Sequence, residues 1–498
     1  MFFWLLLGAL VAYLYFSMYS KTRHLPPGPV PLPLIGNLHQ LILGTIKHKG
    51  VVAVLREWKK KYGDVHTFWL GPVPTVNICD YQLAHDAMIK KGSNFADRFY
   101  LYLFDIVRDG KGVIFSSGST WTEQRRFSLH TLRNFGLGRN VMEDRIMLEY
   151  DYRSNLLNKE IEKAGGKLDT DPYHWIELSV GNVINRLLFT ERFLEDEEKE
   201  FFRLKENLDR LIGQGSMLDL LLSKRNSEWP ILKQHKEKKL KPLWEIVHFI
   251  RSQVEKRKAD IASGEHEIRD NGEDFVDAFL LEMQKSDHAE SFTEGDLVTT
   301  VLDLWLAGQE TTTTTLQWAF GLLVRNPDVI QKIQEELDRV TGQNRSLKLS
   351  DKAETPYLNA VILEVLRVSM LVPMNMWRKA HEDVVVGQFH IPKGTAITAQ
   401  LSVIMSDQDT FEDALKFNPS RFIENNHLEQ YVVPFGMGKR ACLGESLARA
   451  ELYLILGNFV LDYDIAPNLQ HYPDIQAANE LGAVRKSKPY RLLLSKRI

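Results

Sequence analysis

Apolar residues follow helical spacing along most of the chain, including residues 51–62 and most of residues 140–290. Strand-like runs are short by comparison. Phe68–Leu70 and Thr75–Ile78 lie on either side of Gly71-Pro72, which favours a pair of strands. The pattern predicts a mainly α fold with small β-sheets, that is, an α+β class.

The longest run with helical periodicity extends from Leu297 to about Val324. Thr293-Glu294-Gly295-Asp296 precedes it in the order of a capping box, with Asp in place of Glu, and Asn326-Pro327 stops it. A helix over this run would be on the order of 40 Å long. Because few domains need such a length, we expect a central helix that crosses the whole body.

The N-terminal part of the chain divides into three by composition. Residues 1–20 carry no formal side-chain charge, and about twenty such residues match the ~30 Å hydrocarbon thickness of a bilayer. Lys21 and Arg23 follow directly, which places that flank in the cytosol. A cleaved signal peptide is the alternative, but neither a basic n-region nor a small-residue cleavage site is evident. We expect a transmembrane signal anchor at 1–20, a basic, Pro-rich linker at 21–38 and the main domain at 39–498.

Charge and cysteine content narrow the classes of function. The 498 residues include 62 basic and 65 acidic side chains, and a net charge of -3 does not favour a nucleic-acid-binding protein. With only Cys79 and Cys442, the chain has no disulfide framework, which fits a reducing, cytosol-facing body. Cys79 lies in an apolar, strand-like run, so we expect it to be structural.

Cys442 lies in a glycine-rich loop, Pro434–Glu445, two residues after Arg440. Glycine allows close backbone approach to a flat ligand, and a nearby cation and helix N-terminus favour a thiolate. An ordinary buried cysteine is the alternative. The order Phe-Gly-x-Gly-x-Arg-x-Cys-x-Gly resembles the haem-binding loop of the cytochromes P450, the haem-thiolate monooxygenases. The resemblance implies that Cys442 is the axial ligand of the iron in haem b (iron protoporphyrin IX).

The resemblance extends essentially from Met1 to the C-terminus, and points to microsomal members of family 2, which act on drugs and fatty acids. Trp121 and Arg125 lie one turn apart on a predicted helix and can both bind carboxylate. In the resembled family, residues at these positions hold the haem propionates. Further cofactor contacts implied by the resemblance are Arg378, Arg440, Phe435 and Ala307. The basic residues that follow Trp121 resemble the proximal face on which a reductase docks: Arg126, Arg133 and Arg139.

A second motif, Ala307-Gly308-Gln309-Glu310-Thr311, lies inside the long predicted helix. Small residues at 307 and 308 would let a flat ligand lie against the backbone, and a helix–helix crossing is the alternative. The motif resembles the distal-helix signature of the same family. That resemblance implies that Glu310 and Thr311 are catalytic and manage proton delivery to dioxygen at the haem.

A third motif, Glu364-x-x-Arg367, places two opposite charges on one helical face among apolar neighbours. An exposed pair of this kind would contribute little, whereas a buried pair would form a bidentate lock. The resemblance adds Arg421 as its third member and gives the triad a structural role.

Two positions depart from the family pattern. Trp377, next to Arg378, is bulkier than usual and puts the shape of the pocket in doubt. Asp109 lies where the family often has a basic haem contact, and Arg108 can take that place one residue earlier. The surrounding stretch, Asp97 to Phe115, reads as an aromatic loop that either covers the substrate or simply packs.

An apolar pocket and a membrane-facing patch are also expected. If they lie as in the resembled family, the following residues line the pocket: Phe99, Tyr102, Phe115, Leu304, Met374, Met376 and Leu481. Apolar Met217–Leu222 and basic Lys233–Lys241 could together contact an anionic lipid surface. A core helix beside a solvated face is the alternative.

The motifs together predict a haem-thiolate monooxygenase that inserts one atom of O2 into a lipophilic small molecule such as a fatty acid, steroid or xenobiotic. No nucleotide fingerprint is evident, so electrons must come from a partner. The resemblance implies NADPH–cytochrome P450 reductase, with cytochrome b5 as a further candidate, at the endoplasmic reticulum membrane with the catalytic domain in the cytosol. A haem-thiolate isomerase or dehydratase of lipid peroxides and a non-catalytic haem-binding protein are the alternatives.

Overall fold

The computed structural model describes residues 2–135, 140–213, 217–285, 291–474, 476–478 and 482–497. Within them the chain is mainly helical with small sheets, as the periodicity predicts. The helices in chain order are α1 Phe2–Thr22, α2 Leu38–His48, α3 Val51–Tyr62, α4 Tyr81–His85, α5 Tyr102–Arg108, α6 Gly118–Asn134, α7 Asn140–Lys163, α8 Pro172–Phe189, α9 Glu198–Gly213, α10 Met217–Leu221, α11 Pro230–Ser263, α12 Phe275–Met283, α13 Glu294–Val324, α14 Pro327–Thr341, α15 Pro356–Ser369, α16 Leu401–Ile404, α17 Ser420–Glu424 and α18 Glu445–Asp462.

The strands form three small sheets, and the predicted strand pair is confirmed as β1 and β2. A mixed five-stranded sheet has the order β1-β2-β8-β5-β3, a three-stranded sheet has the order β4-β10-β9, and β6 pairs with β7. The strands are β1 Val65–Leu70, β2 Val73–Ile78, β3 Asp97–Arg98, β4 Leu168–Thr170, β5 Arg378–Lys379, β6 Val384–Val386, β7 Phe389–Ile391, β8 Ala396–Ala399, β9 Tyr463–Pro467 and β10 Leu492–Lys496.

Helix α13 is the centre of the molecule. Its 31 residues make it about 46 Å long, and most of its side chains are buried against α8, α11, α15 and α18. The predicted capping box is present, with Thr293 accepting from Asp296 N–H and the Asp296 carboxylate accepting from Thr293 N–H. The central helix expected from the sequence is therefore confirmed.

One local expectation was wrong. The stretch from Asp97 to Phe115 is not all loop, because Tyr102–Arg108 forms helix α5. The residue before it, Leu101, provides no side-chain cap, so the sequence carries no start signal for this short helix. Packing stabilises it instead: Leu103 is buried in the main core.

The N-terminal stretch predicted as an anchor is helical, as α1. Met1 and several side chains of α1 lie outside what the structure describes. Within the described residues, none of the helices combines the length and the apolar character that crossing a bilayer requires.

Candidate functional site

The loop before α18 holds Cys442 in a fixed place. Gly438 has a φ of +68°, and a Cβ on it would lie 1.7 Å from the carbonyl oxygen of Met88, so only glycine fits this contact. The backbone N–H of Cys442 donates to Phe435 O over 2.7 Å, which closes the loop just before the helix begins. The loop thus positions one sulfur at the N-terminus of α18.

The sulfur of Cys442 is accessible although protein surrounds it on most sides, as expected at the floor of a cleft. Burial raises the pKa of the thiol, and Glu445 adds to the increase, whereas the Gly444 N–H and Arg125 oppose it. The loop therefore does not ionise the sulfur by itself, contrary to the expectation from its arginine and helix terminus. A bound metal ion is the further charge that would deprotonate it.

Four arginines gather beside this loop. Arg125 donates to Ala441 O over 2.7 Å and Arg378 to Met437 O over 2.6 Å. Arg440 donates to Ser116 O over 2.6 Å, and its guanidinium lies 3.9 Å from the Trp121 ring centroid. The fourth, Arg98, donates to Ile114 O and Met376 O. Among the described residues none of the four forms an ion pair with a carboxylate.

Burial and mutual repulsion lower the pKa of these guanidiniums. The pKa of Arg440 falls to about 8, that of Arg98 to about 9 and that of Arg378 to about 10, with burial the largest cause in each. In addition, Trp121 Nε1 and Arg378 Nη1 are buried without a hydrogen-bond partner in the described part of the chain. Such a cluster favours an anionic ligand with several acceptor oxygens.

The sequence pattern did not indicate a role for Arg98. In the sheet it lies opposite Arg378 in the antiparallel pair β3–β5, although the two residues are 280 positions apart in the chain. Nothing local in the sequence distinguishes it from other arginines, because the strand that carries it has only two residues.

We assign one face of α13 as the second wall of the site, because α13 packs directly against α18, the helix that follows the cysteine loop. Ala307 is exposed in the middle of an otherwise buried helix, and Leu304, Gly308 and Thr311 are half-buried. These four positions follow the spacing i, i+3, i+4 and i+7, which is a single helical face. The Thr311 hydroxyl lies on it and donates to Ala307 O over 2.8 Å.

Gly308 has a different role from the one expected. A Cβ on it would lie 2.5 Å from Ile184 Cδ1 of α8. The small residue at 308 thus permits the crossing of α13 and α8, the alternative interpretation, whereas Ala307 alone opens the face toward a ligand.

Glu310 is buried and points toward other helices. Its carboxylate binds Lys205 Nζ at 2.8 Å and Lys486 Nζ at 2.9 Å, and it accepts from the Thr314 hydroxyl over 3.0 Å. Glu310 and Thr311 are adjacent in sequence, but their side chains bond to different partners.

The two walls are linked by a buried contact between α13 and α18. The Thr312 hydroxyl donates to Glu451 Oε2 over 3.0 Å. Since Cys442 directly precedes α18 and Thr312 directly follows Thr311, this contact fixes the cysteine loop relative to the open face of α13.

The predicted lock is confirmed. Arg367 donates twice to Glu364, over 2.7 and 2.8 Å, and Arg421 donates to Glu364 over 3.2 Å. All three are buried. The bidentate pair lies within α15, and it is joined to α17 by Arg421 and to the segment before α17 by the Asn418 N–H and Ala414 O, as expected for a structural triad.

The two departures from the family pattern now have structural explanations. Trp377 packs edge-on against Phe68, with ring centroids 6.4 Å apart, whereas Arg378 after it reaches the cysteine loop. Arg108 does not replace the basic contact missing at Asp109. Its guanidinium donates to Asp303 over 2.9 Å, and both groups are buried.

Most of the expected pocket residues are half-buried, which is compatible with a lining role: Phe99, Tyr102, Phe115, Leu304, Met374 and Met376. Phe115 stacks on Phe104 with centroids 4.6 Å apart. Leu481 and, on the basic face, Arg139 lie outside the described residues.

These features fit one kind of group. A flat ligand with carboxylates would satisfy the arginine cluster, the indole N–H of Trp121 and the open face at Ala307, and a metal at its centre would meet the sulfur of Cys442. Residues 26–494 match the protein family described as Cytochrome P450. The chain belongs to the cytochrome P450 family.

Relatives confirm the resemblance to family 2. The chain is 34% identical over 497 residues to cytochrome P450 2J5 of Mus musculus, covering 98% of this chain and 95% of the relative. It is 36% identical over 459 residues to cytochrome P450 2C16 of Oryctolagus cuniculus, covering 90% of each. Probable cytochrome P450 cyp-35D1 of Caenorhabditis elegans is 37% identical over 459 residues, again with 90% of each chain covered.

As a cytochrome P450, the protein is a haem-thiolate monooxygenase, an oxidoreductase that incorporates oxygen from dioxygen, and it has the P450 fold. Its cofactor is haem b with a thiolate-ligated iron, and its kinship with microsomal members implies a separate redox partner.

Proposed function

We propose that this P450 hydroxylates a lipophilic small molecule, such as a fatty acid, steroid or xenobiotic, with electrons from NADPH delivered by a flavoprotein reductase. The observation that carries the proposal is the pairing of two surfaces. The accessible Cys442, set beside the arginine cluster, lies on one of them, and the open face of α13 at Ala307 and Thr311 is the other. The buried Thr312–Glu451 hydrogen bond joins the helices that carry them.

Each wall has a distinct task. Cys442 is the proposed iron ligand; Trp121, Arg125, Arg378 and Arg440, joined by Arg98, would bind the two carboxylates; and Phe435 and Ala307 would lie against the ring. Haem held by a thiolate supplies dioxygen activation and transfer of one oxygen atom. The protein's own contribution is to orient the group, to exclude water and to deliver protons through the Thr311 hydroxyl and the Glu310 carboxylate.

An apolar roof favours a lipophilic substrate. Phe99, Phe115, Leu304, Met374 and Met376 are half-buried and lie near the cleft walls or in segments that contact them. Methionine and aromatic side chains adapt to guests of varied shape. None of these five side chains is a polar anchor for one particular substrate, which favours a lipophilic class over a single compound.

The reductase would dock on the basic side of α6. Arg126 and Arg133 on that helix are exposed. An exposed cationic patch attracts an acidic partner and speeds the encounter. We propose NADPH–cytochrome P450 reductase for this face, with cytochrome b5 as a second partner.

We further propose that the protein lies at the endoplasmic reticulum membrane with its catalytic domain in the cytosol. The support is the uncharged segment 1–20 followed by basic residues, together with the mostly microsomal type of its relatives. The linker 21–38 and the domain 39–498 then lie on the cytosolic side.

Turnover with labelled dioxygen tests the proposal. Protein, reductase and NADPH are supplied with ¹⁸O2 and a panel of fatty acids, steroids and aromatic drugs, and products are analysed by mass spectrometry. One labelled oxygen atom per product, strictly dependent on NADPH, is expected. Conversion of lipid hydroperoxides without NADPH or O2 would instead establish the isomerase or dehydratase, and haem binding without turnover of any panel member would contradict catalysis.

A further inference from the structure

Glu310 belongs to a largely buried cluster of five charged side chains from four parts of the fold. We name it the Glu310 cluster: Glu177 of α8, Lys205 and Asp209 of α9, Glu310 of α13, and Lys486 before β10. Lys205 Nζ lies 2.8 Å from Glu310, 3.1 Å from Glu177 and 2.6 Å from Asp209. Lys486 Nζ lies 2.9 Å from Glu310 and 2.6 Å from Asp209.

The charges of the cluster compensate one another. Burial alone would lower the pKa of Lys205, but Glu310, Glu177 and Asp209 raise it well above its ordinary value. Burial likewise opposes ionisation of Asp209, yet Lys205 and Lys486 lower its pKa. Both lysines also reach the Glu310 carboxylate, so the cluster holds that side chain in place.

The same bonds separate Glu310 from Thr311. Both carboxylate oxygens of Glu310 are engaged by lysines, and Oε1 also accepts from Thr314. The Thr311 hydroxyl meanwhile donates to its own helix at Ala307 O. No hydrogen bond joins the acid to the alcohol within the described structure.

The two lysines come from segments that are attached differently. Lys486 follows Arg485, whose backbone and side chain bond to Leu371 O and Ser369 O and whose carbonyl accepts from Trp318. Lys205 is carried by α9. The segments meet where Ala483 N–H donates to Ile212 O over 3.3 Å. Glu310 is therefore held from one side by a well-fastened segment and from the other by a separate helix.

We propose that Lys205 and Lys486 are positioning residues for Glu310, which together hold its carboxylate bonded away from Thr311. The inference rests on the proposed function of Glu310 in proton delivery. It makes the supply of protons to the cleft depend on α9 and on the segment before β10, neither of which carries a haem contact.

A mutant cycle on the haem-loaded protein tests this role. Lys205→Met, Lys486→Met and the double variant are each made alone and together with Glu310→Gln. We expect each single variant to change the share of NADPH electrons recovered as product by about twofold or more. In the Glu310→Gln background the lysine variants should add nothing, because lysines that act only through Glu310 lose their target.

Two controls separate positioning from general damage. Arg203→Met removes an exposed cation from α9, and Lys488→Met removes one two residues after Lys486; neither residue contacts Glu310. Both should retain the wild-type electron yield. Lys205→Arg keeps the charge, so its electron yield should lie closer to wild type than that of Lys205→Met. This comparison holds even if Lys205→Met reduces the amount of folded protein.

Infrared spectroscopy gives a second measurement that does not depend on turnover. When both lysines are replaced, the buried Glu310 carboxyl group loses both of its cationic bond partners. The infrared difference spectrum between wild type and the double lysine variant should then show a shifted carboxyl band, which vanishes when both proteins also carry Glu310→Gln.

Three results would overturn the inference: lysine variants that behave like the controls, lysine effects that persist undiminished in the Glu310→Gln background, or no Glu310-dependent shift of a carboxyl band in the double variant. Failure of the proposed function has a different signature. In that case the wild-type protein itself would give no NADPH-dependent product, whatever residues occupy positions 205 and 486.

Discussion

Several decisive side chains of this P450 have polar atoms that the described protein does not satisfy. Trp121 Nε1 and Arg378 Nη1 belong to the haem site and would find acceptors in the cofactor carboxylates. Glu451 is another such residue, but it lies on the link between α13 and α18. Its Oε1 is buried and unpartnered in the described structure, and its other oxygen accepts only from Thr312.

The surroundings of Glu451 explain its behaviour. Burial raises its pKa to about 8, and the Thr312 hydrogen bond opposes this only in part. Glu451 should therefore carry a proton at neutral pH.

Stability against pH tests the protonation of Glu451. Between its ordinary pKa of 4.5 and the folded value of about 8, the folded protein holds a proton that the unfolded chain has released. The contribution to stability is thus complete below the lower value and is lost as pH rises to the upper one, by up to about 1.4 kcal/mol per pH unit. Glu451→Gln should remove this part of the slope.

The measurement is the thermal midpoint of wild type and variant at a series of pH values between the two pKa values. Glu335→Gln, an exposed change on α14, serves as the control and should leave the slope unaltered. If the difference between wild type and Glu451→Gln stays constant with pH, Glu451 is not the protonated group.

Helix crossings determine how the walls of the cleft meet. One of them is the approach of α13 to α8 at Gly308, where the missing side chain leaves room for Ile184. The reason for glycine is therefore packing, and the opening toward the ligand depends on Ala307.

The effect of Gly308→Ala on stability should change sign according to the residue at position 184. In the wild-type background the new methyl meets Ile184 Cδ1 at 2.5 Å, and overpacking of this kind costs about 1–3 kcal/mol. In an Ile184→Ala background the clash is gone, and replacing a helical glycine by alanine should then stabilise by up to about 1 kcal/mol. Thermal midpoints of the four proteins check this, and stabilisation in both backgrounds would contradict the crossing assignment.

At the same scale, the sequence predicted what depends on local pattern. The capping box at Thr293, the length of α13, the strand pair β1–β2 and the Glu364–Arg367 spacing are all visible within a few residues. The partners of Glu310 are not: Lys205 lies 105 positions away, and Lys486 comes from another segment. Likewise, Arg98 reaches the haem site only through the pairing of β3 with β5. Such contacts depend on the whole fold.

On the scale of the whole molecule, the proposed orientation places a lipid surface next to the start of α11. Lys233, Lys238 and Lys241 are exposed there, and Trp229 and Ile231 at the beginning of the helix are exposed apolar residues. Apolar side chains beside lysines are typical of a segment that lies against anionic lipid.

Vesicle binding of the protein without residues 1–20 tests this surface apart from the anchor. We expect tighter sedimentation with vesicles that contain phosphatidylserine than with phosphatidylcholine alone, because each lysine near an anionic surface contributes about 1 kcal/mol. Changing Lys233, Lys238 and Lys241 to Gln should remove most of the difference. Changing Lys258 and Lys285, which are exposed elsewhere, to Gln should leave this difference in binding intact. Binding indifferent to lipid charge would contradict the proposed face.

The central claim is that Cys442 is the thiolate ligand of the haem, and carbon monoxide tests it most directly. The reduced protein is mixed with carbon monoxide, and the difference spectrum is recorded for wild type, Cys442→Ser and Cys79→Ser. Wild type and Cys79→Ser should both give the thiolate-type band, since Cys79 is buried in the β-sheet region away from the loop. Cys442→Ser should lose that band. A thiolate-type band that survives in Cys442→Ser would contradict the account.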